Sequence, residues 1–157
     1  MRSKLDCWTG VAGAAALALF LAGPVLAEDE APDLLPSLVT RGPLSVPPGA
    51  SISIEVKVQN KGNQDSTGTD ALLVRSADAT ISTEDETIDK ARVTPLTGKM
   101  GDSMFAVFDG WEHTFELTAP NTPGSHFYGL CVEPGRRQKT APKCSDTPLE
   151  ITVTPTQ

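Results

Sequence analysis

The chain has 157 residues and a formal net charge of −7, with 20 acidic against 13 basic side chains. That balance argues against nucleic-acid binding through a general positive field, and the length is that of one domain. Aromatic residues make up only 5%, which counts against a sugar-binding platform built on exposed rings.

The first segment, 1–27, reads as a secretory signal that is cleaved. Arg2 and Lys4 precede an apolar run from Val11 to Ala22, and Gly23-Pro24 leads to a cut after Ala27. The run is short of the ~20 residues that span a bilayer, so an uncleaved anchor is the weaker reading. Cleavage removes Cys7 together with Arg2, Lys4 and Asp6, leaving 11 basic and 19 acidic residues. Two cysteines remain, Cys131 and Cys144, and in an exported chain they are expected to pair. A zinc site is disfavoured, since His113 and His126 show no ligand spacing with them.

Residues 28–36 form a polar lead-in expected to be mobile, ahead of a domain over 37–157. A weak strand over Ser37 to Val46 is interrupted by Gly42-Pro43, and Pro47-Pro48-Gly49 makes a turn. From Ser51 to Val58 the chain alternates cleanly: Ile52, Ile54, Val56 and Val58 face one way, Ser53, Glu55 and Lys57 the other. Period two with β-branched residues marks a half-buried strand. After Asn60-Lys61-Gly62-Asn63 come a strand over Ala71 to Arg75, an acidic loop over Ser76 to Asp89, and a strand over Ala91 to Leu96. Trp111, His113, Phe115 and Leu117 then alternate with polar residues, placing His113 and Trp111 on a packed face. Strands over Phe127 to Val132 and Leu149 to Val153 complete an all-β immunoglobulin-like sandwich of about seven antiparallel strands. Tyr128 reads as core.

Three segments resemble the CARDB repeat, a bacterial immunoglobulin-like module related to cell-adhesion domains. They are PPGASISIEVKVQNKGN from Pro47, LVRSADATISTEDETI from Leu73, and LTAPNTPGSHFYGLCV from Leu117. Their order, closed by Cys144-Ser145, carries the likeness over the chain from Asp33 onward. The resemblance implies a seven-stranded sandwich in an extracellular or surface-associated, non-catalytic accessory role. The chain departs from it in holding a single copy and in an apparent insertion over Thr97 to Gly110.

Four features are candidates for function. Asp78, Ser82, Asp85 and Asp89 in the acidic loop offer oxygen ligands for calcium, without the spacing or glycine of an EF-hand; the alternative is a solvated loop. Arg136 and Arg137 crown a basic loop between the cysteines, either a contact for an acidic partner or a solvated tip. In the insertion, Met100, Met104, Phe105 and Phe108 form either an adaptable binding surface or a hairpin of Ser103–Phe108 with Trp111–Leu117 across Asp109-Gly110. For catalysis the sequence shows no triad or metal constellation. The expectation is therefore a secreted or periplasmic bacterial module without a required cofactor. It would bind an envelope or extracellular protein or polysaccharide, with no nucleic acid and no membrane insertion. A carbohydrate-binding module is the nearest alternative, and a small hydrolase or inhibitor the alternative of another class.

Overall fold

A computed structural model describes residues 31–99, 108–135 and 140–155. Nine strands follow in order among them: β1 (Leu34–Leu38), β2 (Leu44–Val46), β3 (Ser51–Asn60), β4 (Thr69–Ser76), β5 (Glu86–Val93), β6 (Gly110–Thr118), β7 (Gly124–Val132), β8 (Lys143–Cys144) and β9 (Leu149–Val153). One sheet has the order β1-β3-β6; the other runs β2-β9-β7-β4-β5, with β8 extending the β9 side of β7. The arrangement is an immunoglobulin-like sandwich without helices in the described residues.

The core forms where the alternating faces of the two sheets meet. Ile52, Ile54, Val56 and Val58 of β3 and Phe115 of β6 pack against Leu73, Tyr128, Leu130, Leu149 and Ile151 of the other sheet, all buried. The turn expected at Pro47-Pro48-Gly49 closes with Ala50 N donating to Pro47 O at 3.2 Å, and Gly49 takes φ +73°, the left-handed region in which glycine has no Cβ to clash.

Three boundaries differ from the sequence reading. First, the lead-in is shorter, because β1 begins at Leu34; Pro36 is buried in the strand rather than lying in a mobile segment. Asp33 O accepts from Lys61 N and Val39 N donates to Glu55 O, so odd-numbered residues bond β3 and Pro36 lacks its N–H on the free side. An edge strand tolerates proline there. Second, the interruption at Gly42-Pro43 transfers the chain from one sheet to the other through a cis peptide bond. β2 then runs parallel to β9. A Cβ on Gly42 would stand 2.7 Å from Leu149 Cδ1, so the crossing presses the backbone against β9. Third, β5 begins at Glu86 and ends at Val93, earlier than the strand expected over Ala91 to Leu96. Asp89 therefore belongs to a strand and not to the acidic loop.

Asn60, wholly buried at the end of β3, joins three segments. Its Nδ2 donates to the carbonyls of Gln64 (2.8 Å), Leu96 and Thr97 (both 3.3 Å), and its Oδ1 accepts from Asp33 N and Gly62 N at 3.1 Å. Beside it Ser66 N donates to Leu96 O, and Leu96 N returns a bond to Ser66 Oγ at 2.9 Å. Side chains thus complete the backbone pairing where the chain leaves β5 for the other sheet.

Candidate binding surfaces

Strand β6 lies at the edge of the three-stranded sheet. On its inner face three rings form a ladder. Trp111 and His113 stack with centroids 5.3 Å apart and planes 14° apart, and His113 meets Phe115 edge-on at 4.7 Å. Phe115 is buried and Trp111 half-buried, whereas His113 is exposed instead of packed as the alternation implied. The outer face is acidic. Glu112 pairs with Lys57 at 2.8 Å, Glu116 accepts from Ser53 Oγ at 2.7 and 2.8 Å, and Glu55 sits between them opposite Thr114.

The cysteines pair as expected. Cys131 and Cys144 stand directly opposite each other on β7 and β8 and form a disulfide. Beyond the bridge, Ser145 N donates to Leu130 O and Leu130 N to Ser145 Oγ, extending the ladder. Lys143, one of the basic residues between the cysteines, forms an ion pair with Asp33 ahead of β1. Arg136 and Arg137 lie outside the described residues.

Of the four residues considered for calcium, Ser82 and Asp85 bond each other, while Asp78 and Asp89 bond neighbouring amides. Asp78 Oδ1 accepts from Thr80 N at 2.7 Å, and Asp85 Oδ2 from Ser82 N at 2.7 Å and from Ser82 Oγ at 3.3 Å. Asp89 turns to its neighbour Lys90 N in β5. These are turn-forming bonds, the commonest use of Asp and Ser side chains in loops. Among the described residues no three His, Cys, Asp or Glu side chains gather where they could hold a metal ion. The loop is held down by an apolar contact instead: Ile81 packs on Gly129 of β7, in space that any Cβ there would fill.

Of the insertion, Met100, Met104 and Phe105 lie outside the described residues, as does most of the hairpin considered for Ser103–Phe108. Phe108 is half-buried, with Lys61 Nζ 5.1 Å from its ring centroid, a cation–π distance. Asp109 anchors the return of the chain, its Oδ2 accepting from Thr97 N at 2.8 Å and its Oδ1 from Gly110 N at 2.9 Å. The Thr97 amide holds this carboxyl below the usual aspartate range against the opposing effect of desolvation, with further help from the Gly110 amide.

A further groove opens where the chain changes sheets, between Leu35, Leu38, Arg41 and Pro43 on one side and Asp146 and Pro148 on the other. Leu35 lines it and Val39 stands nearby; these are the exposed large hydrophobic residues of the described chain. Period-two reading found the faces of β3 and β6. It missed the outward-facing edge of β6, because backbone direction depends on which neighbour a strand has.

No family profile and no curated protein matches the sequence. Among solved structures, the chain is similar to the crystal structure of the CARDB domain of the PF1109 protein from Pyrococcus furiosus, in complex with di-metal ions. That likeness has a TM-score of 0.54 and 17% identity over 80% of this chain and 90% of that one. The solution structure of the same domain gives a TM-score of 0.52 and 15% identity over 80% and 99% of the two chains. A β-glucosidase from Listeria innocua in complex with glucose aligns at a TM-score of 0.45 and 16% identity, over 78% of this chain and 17% of its own.

Proposed function

From a chain that folds as a CARDB-type immunoglobulin-like domain, we propose a non-catalytic, exported module that binds another protein at the cell envelope or outside the cell. The observation that carries this reading is β6, a nine-residue edge strand with a ring ladder on one face and carboxylates on the other. An open strand edge of this kind is a standard template for protein recognition. The Cys131–Cys144 bridge supports export, because such bonds form and persist in oxidising compartments. Metal is not part of the proposal. The CARDB domain of PF1109 is described in complex with di-metal ions, whereas here the acidic-loop carboxylates serve turns.

A carbohydrate-binding role is the second reading, favoured by one observation: Trp111 is half-buried and stacks with the exposed ring of His113, an aromatic surface for a sugar ring. The test is capture on the purified secreted form, offered an envelope protein extract and a glycan array, with and without EDTA. The expected result is a protein retained equally under both conditions. Retention of glycans alone moves the assignment to the second reading, and loss of capture in EDTA restores metal to the account.

A further inference from the structure

Among the described residues the sheets end at β1, β2, β5, β6 and the two-residue β8, and all but β6 are short or blunted as edges. β1 has Pro36 at an outward backbone position, where it offers no N–H. β2 has three residues. β5 shifts register opposite Leu73/Val74, leaving Ile88 as the extra residue of a bulge. β6 differs. It pairs with β3 over its full length, Gly110 to Thr118, without a shift. The bonds Asn60 N to Asp109 O (3.1 Å) and Ala119 N to Ala50 O (2.8 Å) set its parity. Residues 111, 113, 115 and 117 turn their backbone groups to β3, so Glu112, Thr114 and Glu116 turn theirs away. Among the described residues those groups meet no second strand.

We propose that β6 accepts an extended segment of a partner protein in which Lys or Arg alternates with apolar residues. This rests on the binding-module reading and specifies the partner. A strand added to β6 places its side chains alternately on the two faces of the sheet. On the outer face it meets Glu112, Glu116 and Glu55, against the single cation Lys57. On the inner face it meets the exposed ring of His113 and the half-buried Trp111. Basic residues suit the first set and apolar residues the second. A second copy of this chain fits poorly: overlapping all nine residues of two antiparallel β6 strands centres on Thr114 and sets Glu112 opposite the other copy's Glu116. Like charges directly opposite are destabilising.

The probe is a nine-residue peptide alternating Lys with Val, matched in length to β6, with a Glu/Val peptide as control. The Lys/Val peptide should slow hydrogen exchange at the amides of Glu112, Thr114 and Glu116 and change Trp111 fluorescence; the control should do neither. Glu112→Lys combined with Glu116→Lys should weaken the Lys/Val peptide about tenfold and favour the control. Thr114→Pro should abolish binding, because residue 114 points its N–H away from β3 and the sheet bonds survive the change. The double reversal stands as a test by itself should the proline variant fail to fold.

Peptide binding indifferent to the charge reversal overturns the proposal. So does binding that requires residues 103–107 to be replaced by a Gly/Ser linker, which would assign the edge to the chain itself. Dimerisation that protects the same three amides without peptide assigns it to a second copy. Capture from an envelope extract that survives both variants removes this edge and leaves the binding-module reading intact. A chain that captures nothing removes the reading itself, even where the peptide binds.

Discussion

Asn60 shows how much one amide can organise at a point where regular pairing stops. Its donor face holds the carbonyls of Gln64, Leu96 and Thr97, and its acceptor holds the amides of Asp33 and Gly62. Asn60→Ala leaves these buried groups short of partners and should cost about 3 kcal/mol in urea unfolding. Asn60→Asp should cost more. It keeps an acceptor for the two amides but turns a carboxylate toward three carbonyl oxygens. Asp109 acts on the same crossing through charge. The Thr97 amide depresses its folded pKa below the unfolded value. Its stabilisation is therefore complete above the ordinary aspartate range and is lost as pH falls through the folded value. Asp109→Asn should melt lower than the parent at neutral pH, and the two melting curves should converge on acidification.

At the scale of elements, the disulfide is legible because reading Cys7 as part of a secretory leader leaves two cysteines to pair. The bridge joins opposite residues of β7 and β8 across a sequence separation of 13. Replacing both cysteines by Ser should lower stability by about 3 kcal/mol in the chain-entropy picture. Guanidinium midpoints measure the loss, and the parent protein should show no free thiol by mass spectrometry. Alternation likewise identified β3, whose Ile52, Ile54, Val56 and Val58 are all buried. It failed where burial is decided by a neighbour far away in sequence. His113 lies in register with buried Val56 and is nonetheless exposed, whereas Phe115, two residues on along the same face of β6, is buried. Composition misled at two of the three altered boundaries. Pro36 suggested a lead-in, and the charges of Glu86, Asp89 and Lys90 suggested a loop, although edge strands accept both proline and charge. The calcium ligands depended on that loop reading and separated once Asp89 joined β5.

At the scale of the whole molecule, β6 is the edge that, among the described residues, carries no blunting device. An acidic chain with its remaining edges short, bulged or proline-blocked is protected from indiscriminate strand pairing. The same economy applies to its ends. After β1 and the crossing at Gly42-Pro43, β2 runs parallel to the last strand, β9, with Leu44 beside Ile151, Ser45 beside Thr152 and Val46 beside Val153. Thr154 N adds a bond to Val46 O at 3.0 Å just past the last pair. Pulling β2 toward its start and β9 toward its end acts in opposite directions along parallel strands, so one slides past the other. Their bonds then bear load in shear and must yield together, whereas an antiparallel pair pulled from adjacent ends peels apart one bond at a time. Once β1 is drawn off β3, this parallel pair resists further lengthwise opening.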